Sequence, residues 1–183
     1  MNKATLTLMC GLARCGKTTW IKKNKGNAIV ICPDDIRTSI FSHQFYFPAE
    51  SFVWGIALSM ARLILEQGKD VLIDATNIDF ASRGKFISTA KEFDCKVRIV
   101  WMKTSIKVCL NRNSKSDDKN KLPDGIIEGM AKRFQDPFYN KGEVELIQIP
   151  KSKASSPPCS WDEDSYYYKE LEKMGLTEIG LFK

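Results

Sequence analysis

The apolar run Leu6 to Cys10 leads into Gly11-Leu12-Ala13-Arg14-Cys15-Gly16-Lys17-Thr18, and a helix-compatible segment, Thr18-Thr19-Trp20-Ile21, follows at once. Strand, glycine-framed loop and helix, in that order, constrain this chain more than any other stretch. Glycines at both ends let the loop turn its backbone N–H groups inward around phosphate oxygens, and the helix N-terminus adds partial positive charge. The segment Gly11 to Thr19 therefore reads as a phosphate-binding P-loop. In such a loop Lys17 reaches the β- and γ-phosphates of a nucleoside triphosphate, and the Thr18 hydroxyl ligates Mg²⁺. An ordinary strand-to-helix turn is the competing reading, and the order of elements around the loop argues against it.

The same alternation continues downstream. Apolar, β-branched-rich runs at Thr5 to Cys10, Ala28 to Cys32, Asp70 to Asp74, Lys96 to Met102 and Val144 to Ile149 read as strands. Between them, helices are expected over Thr18 to Lys23, Asp35 to Phe41, Glu50 to Gln67, Ala81 to Phe93, Ser105 to Arg112 and Asp124 to Phe134. Strands separated by helices indicate an α/β fold with a parallel sheet and crossover helices. Phe52, Ile56, Met60, Leu63 and Ile64 recur at helical spacing, with Gly68 as the stop signal. Pro123 suits the first turn of the last helix. The polar run from Asn113 to Lys121 lacks periodicity and reads as a mobile loop placed where a kinase would carry a lid. After Pro150 comes a linker-like stretch, Lys151 to Pro158, then an aromatic, charged tail, Trp161 to Lys183. The expected organisation is one domain over residues 1–150 and a tail over 151–183.

Composition narrows the classes. A chain of 183 residues with 43% hydrophobic content builds one compact core and is short for two. No run approaches the length of a membrane span, and Met1 to Ala4 enters the first strand too quickly for a signal peptide, so a cytoplasmic protein is expected. The six cysteines form no CxxC pair and there is a single histidine, His43, which excludes a zinc constellation. Cys15 differs from the other cysteines because it sits inside the phosphate loop, where it could be alkylated. The net charge of +6 suits polyanionic partners such as nucleic acid, and equally suits a soluble basic protein.

Three clusters accompany the loop. The second strand ends in Pro33-Asp34-Asp35-Ile36-Arg37, at the carboxyl end of a strand, where open α/β sheets bind ligands. A carboxylate there can accept the proton of an attacking hydroxyl, and an arginine one turn on can grip an acceptor phosphate. The plainer alternative is that an aspartate caps the helix and Arg37 pairs with it. The third strand ends in Ile73-Asp74-Ala75-Thr76-Asn77, where Asp74 could hold Mg²⁺ or its waters. Arg112 closes a helix just before the polar loop, with Lys115 beyond, and could stabilise charge on a transferring phosphate. No Asn-Lys-x-Asp motif follows a strand, which disfavours a GTPase switch.

With these residues in place, the chain resembles the kinase domain of phage-type polynucleotide 5′-kinases, within the wider group of P-loop kinases that includes zeta toxins. The matching residues are Leu8 through Gly11 to Trp20, Asp34 to Ile40, Ile73 to Asn77 with Arg83, Arg112 to Lys115, Leu122-Pro123, Met130 and Pro137 to Asn140. The resemblance implies a three-layer P-loop kinase fold, with a parallel five-stranded sheet, helices on both faces and a lid. It implies transfer of the γ-phosphate of ATP, with Mg²⁺, to a 5′-hydroxyl of RNA or DNA, often in strand repair. On the matching positions Lys17 and Thr18 hold phosphate and metal, Asp34 is the general base, Arg37 grips the phosphate 3′ to the acceptor nucleoside, and Arg112 is the lid residue. Two departures stand out. Ser116 occupies the place of a second lid arginine, and the acidic residue before Thr76-Asn77 is displaced to Asp74. The family's frequent phosphatase domain is not expected here, since Asp162-Glu163-Asp164 lacks a preceding apolar strand, and the reading is of a stand-alone kinase domain.

The competing functions are a kinase of a small molecule such as a nucleoside, nucleotide or sugar nucleotide, and an ATP-binding regulatory module docked through Tyr166 to Tyr168. Phe45, Tyr46 and Phe47 are candidates for stacking on an acceptor base, or for the core. A homo-oligomer is compatible with the sequence.

Overall fold

The computed structural model describes residues 3–41, 47–117, 121–123, 125–138 and 143–150. Five strands, β1 (Thr5–Cys10), β2 (Ile29–Ile31), β3 (Val71–Ile73), β4 (Lys96–Met102) and β5 (Glu145–Ile149), form one sheet in the order β2-β3-β1-β4-β5. Every pairing is parallel. Parallel neighbours require crossovers, and the helices α1 (Lys17–Asn24), α2 (Pro33–Phe41), α3 (Glu50–Glu66), α4 (Phe80–Glu92), α5 (Ile106–Ser114) and α6 (Ile126–Lys132) supply them. One further 3₁₀ turn, Phe47–Ala49, precedes α3 and has no periodic signal in the sequence.

Helices cover both faces. On one side Leu6, Leu8, Val71, Ile73, Val97 and Ile99 pack against Ala57, Ala61 and Leu65 of α3 and Phe86, Ile87 and Ala90 of α4. On the other, Met9, Leu72 and Val100 meet Ile21 of α1, Cys109 of α5 and Ile127 of α6. Strands buried on both faces read as continuous apolar runs, which is why β1, β3 and β4 were legible.

Register sets the functional edge. Leu8 pairs with Ile73 and Ile73 with Ile31, so β1, β3 and β2 finish close together at their carboxyl ends. The N–H of Asp74 then donates to the Ile31 carbonyl at 2.9 Å. Residues following these strands converge for that reason alone.

Boundaries differ from the sequence reading in informative places. α2 starts at Pro33, two residues early, because proline loses nothing at a first turn. Cys32 consequently takes the cap position, its carbonyl accepting from the N–H of Ile36 at 3.2 Å, so neither aspartate is the cap residue. α5 continues through Ser114, which makes Asn113 and Ser114 helical and shortens the expected loop of 113–121 at its start. α6 begins at Ile126, not at the turn after Pro123, because Gly125 takes a left-handed φ of +82° immediately before it. Residues 118–120 of the expected lid, His43 to Tyr46, Asn140 and the whole of 151–183 lie outside the described residues. Among the described residues no helix is long and apolar enough to cross a membrane.

Candidate active site

The loop after β1 is fixed from behind. The N–H of Gly11 donates to the Thr76 carbonyl at 2.9 Å, which ties the loop to the end of β3. A Cβ at Gly11, where φ is +154°, would stand 2.8 Å from Cys15 Sγ and 3.0 Å from Met102 Cβ, so this position needs glycine. Gly16, at φ +107°, turns the chain into α1, and no side chain caps that helix. The Thr104 hydroxyl donates to the Cys15 carbonyl at 2.8 Å and holds the middle of the loop. Lys17 Nζ donates to the carbonyls of Gly11 at 3.2 Å and Leu12 at 2.9 Å, keeping the ammonium against the loop.

Asp74 stands beside this loop. Burial pushes its carboxyl above the ordinary range, the charges of Asp34 and Asp35 add to that, and Lys17 and a hydrogen bond from Thr18 pull it back. Asp74 thus feels Lys17 and Thr18 of the loop on one side and the charges of Asp34 and Asp35 of α2 on the other. The Thr18 hydroxyl and the Asp74 carboxylate are hard oxygen donors at one point, a set that fits Mg²⁺, which keeps several waters and takes few protein ligands. Asp74 becomes a better ligand as it ionises, and a divalent cation favours that ionised form.

The residues expected to face an acceptor, Asp34 and Arg37, lie in the first turns of α2. Asp34 projects into solvent, its side chain 85% exposed, and is held by Arg37 one turn on. Arg37 is only 14% exposed. Its Nε donates to Glu50 Oε1 at 2.7 Å and its NH2 to Oε2 at 2.9 Å, a two-pronged pair that joins α2 to the first turn of α3. These hydrogen bonds from the guanidinium to Glu50, opposed by burial and aided by Asp34, hold the Arg37 proton still more firmly than usual. Arg37 does pair with Asp34, as the plainer reading had it, while Glu50 is a partner 13 residues away that no local pattern announces.

From the opposite side, Arg112 reaches the loop across 98 residues of sequence, its NH1 donating to the Arg14 carbonyl at 3.0 Å. A cleft of about 590 Å³ opens there, lined by Arg14 to Trp20 together with Met102, Arg112, Ile149 and Pro150. Leu12, by contrast, is buried and packs with Met9 and Ile21 in the core behind the loop. Cys15 is 2% exposed and burial pushes its thiol upward, so the expected alkylation site is a packed, protonated group. Asn113, also buried, clamps the chain beyond α5: its Nδ2 donates to the Leu122 carbonyl at 3.1 Å and its Oδ1 accepts the Leu122 N–H at 3.0 Å. An asparagine on a helix, nine residues from its partner, carries no sequence signal for this role.

A family model described as AAA domain matches residues 6–137, spanning every element named above from β1 to α6. The chain belongs to that family. The chain is 27% identical, over 142 residues, to the L-seryl-tRNA(Sec) kinase of Methanococcus maripaludis, a match covering 72% of this chain and 53% of that protein. It is 25% identical over 108 residues to the bifunctional polynucleotide phosphatase/kinase of Schizosaccharomyces pombe, covering 57% of this chain and 26% of that protein. The chain thus spans about half the length of the first curated relative and a quarter of the second. Among solved structures, the Mycobacterium tuberculosis APS kinase CysC in complex with AMPPNP and APS superposes with a TM-score of 0.55 at 15% identity, over 97% of this chain and 99% of that one. The three-layer α/β fold of P-loop kinases, expected from the resemblance, is the fold of this AAA domain.

Proposed function

We propose that this protein is an ATP- and Mg²⁺-dependent polynucleotide 5′-hydroxyl kinase. The observation that carries the reading is the electrostatic neighbourhood of Asp74, which joins donor-side Lys17 and Thr18 to acceptor-side Asp34 and Asp35. A carboxylate beside the phosphate loop can take the proton of an attacking hydroxyl, and Arg37 one turn on can hold an acceptor's phosphate. The names of the two curated relatives, kinases of a charged tRNA and of a polynucleotide, support an acceptor carried on nucleic acid.

In this reading the Gly11 to Thr19 loop cradles the phosphates of ATP, and Lys17 exchanges its loop carbonyls for phosphate oxygens. Thr18 and Asp74 hold Mg²⁺, which offsets charge on the phosphates when bound. Asp34 takes the proton of the 5′-hydroxyl as that oxygen attacks in line; its exposure keeps the carboxylate available to an incoming strand end. Arg37, held by Glu50, grips the acceptor's phosphate. Arg112, already across the loop, supplies positive charge as the phosphoryl group moves. Most of the rate enhancement then comes from position and charge stabilisation.

The test is incubation with γ-labelled ATP, Mg²⁺ and a panel of 5′-hydroxyl RNA and DNA oligonucleotides, nucleosides, nucleotides and sugars. Label on oligonucleotides is expected. Label confined to a small acceptor would replace this reading with that of a small-molecule kinase, and nucleotide binding without transfer would favour the regulatory module. Asp34→Asn is expected to abolish transfer while leaving ATP binding intact, checked by turnover beside nucleotide titration.

A further inference from the structure

Three phenylalanines among the described residues stand well exposed, and two of them, Phe80 at 43% and Phe138 at 57%, ride on one clasp. The N–H of Phe80 donates to Gln135 Oε1 at 2.6 Å, and the N–H of Gln135 donates to the Ile78 carbonyl at 2.7 Å. The N–H of Phe138 closes the same turn on the Asp136 carbonyl at 2.9 Å. The clasp is anchored at the carboxyl edge of the sheet: Asn77 Nδ2 donates to the Met9 carbonyl at 2.8 Å, and Trp101, under Phe138, pairs in register with Cys10. Asp74 and the phosphate loop lie on that same edge.

Both rings are oriented in advance. The buried Arg83 guanidinium lies 4.8 Å from the centroid of Phe80, backing that ring, and its NH1 donates to the Asn77 carbonyl at 2.7 Å. Trp101 meets Phe138 edge to face, with centroids 5.8 Å apart and planes at 87°. Lys103 Nζ sits 4.6 Å from the Trp101 ring and adds positive charge beside the pair. Asp136 is the nearby acid; burial pushes its carboxyl upward, while Lys103 and Arg83 offset its charge.

We infer that Phe80 and Phe138 form a stacking platform for bases of the acceptor strand, beyond its 5′ end; this rests on the polynucleotide reading. Rings already held by Arg83 and Trp101 lose little freedom when a base stacks on them. A phenyl face accepts any base, which suits sequence-independent binding to a single strand. A protein-docking surface would instead present a broad, continuous apolar patch, whereas here two rings stand among polar and cationic groups. Nothing in the transfer step itself uses either ring.

The experiment compares a single-stranded 5′-hydroxyl oligonucleotide of about a dozen nucleotides, long enough to reach beyond the acceptor nucleotide, with a dinucleotide acceptor. Phe80→Leu/Phe138→Leu is expected to raise KM for the longer strand about tenfold, leaving KM for ATP and all constants for the dinucleotide unchanged. Phe80→Tyr/Phe138→Tyr, which keeps both faces, should restore the wild-type KM. Phe138→Leu alone, at the more exposed ring, covers the case in which the double variant fails to fold. Fluorescence anisotropy with a labelled strand of the same length reads binding without catalysis. Should the wild-type enzyme label no oligonucleotide, the functional reading fails. Should it label them, with strand affinity unchanged in folded leucine variants, only the platform is refuted and the patch is left to a protein partner.

Discussion

Removing Glu50 tests how Arg37, on the proposed acceptor side, is held in place. Glu50 and Arg37 are 17% and 14% exposed and share two charge-assisted bonds of 2.7 and 2.9 Å. Exposed pairs contribute about 0–1 kcal/mol, whereas breaking a fully buried pair costs about 3–5 kcal/mol. This pair lies between those limits. Its two bonds have nearly ideal lengths, but the guanidinium keeps Asp34 as a second partner, so a coupling near 2 kcal/mol follows. Urea unfolding of wild type, Glu50→Ala, Arg37→Ala and the double variant, arranged as a double-mutant cycle, measures that coupling directly. It requires no assumption about substrate. In the kinase assay, Glu50→Ala should lower kcat/KM for a 5′-hydroxyl oligonucleotide about 30-fold, the equivalent of ~2 kcal/mol, with KM for ATP unchanged. A coupling below about 0.5 kcal/mol with unaltered acceptor kinetics would refute the argument that Glu50 fixes the guanidinium.

Further expectations concern the phosphate loop, Asp74 and the chain beyond α5. Gly11→Ala should destabilise the fold by about 2–3 kcal/mol, and adding Cys15→Ala should not restore it, because Met102 Cβ and the Met102 carbonyl still lie 3.0 and 3.2 Å from the new methyl; denaturation midpoints of both variants decide this. Asp74→Asn should abolish stabilisation by Mg²⁺-ATP yet raise the melting temperature of the free protein at neutral pH. The sign follows from linkage: the folded-state pKa of Asp74 is raised, so its ionisation penalty is absent below the ordinary value of 3.8 and fully developed above the folded pKa. Melting curves of both proteins across that range should therefore converge as pH falls. Asn113→Ala removes both bonds to Leu122 and leaves its N–H without that acceptor, at a cost of about 1–3 kcal/mol. Faster tryptic cleavage after Lys115 or Lys121 in the variant would report that the chain beyond α5 has opened.

β1, β3 and β4 were legible because strands buried on both faces are largely apolar, and Gly11 to Thr18 was legible because a phosphate cradle dictates its own spacing. Asp34, Asp74 and Arg112 drew attention by their places at the ends of periodic segments, and the fold sets all three around the phosphate loop at the carboxyl edge of the sheet; their roles in transfer are the proposal made above. Glu50, Thr104 and Asn113 drew none. Each acts on a partner distant in sequence, Thr104 at 89 residues from Cys15, and a side chain that reaches across a fold leaves no periodicity behind. The reverse also happened with Cys15, whose place in the loop suggested accessibility until packing against Gly11 buried it.

The amino-acid sequence thus determined, without help, the order of elements, the parallel sheet and the identity of the phosphate loop, since all three depend on local pattern and chain connectivity. Tertiary structure alone decided which charges far apart in the sequence meet. The register that ends β1, β3 and β2 together set Asp74 by Thr18 and within the electrostatic reach of Asp34, and the packing of α3 on α2 set Glu50 against Arg37. Electrostatic partnership depends on separation in space, which only the folded chain fixes.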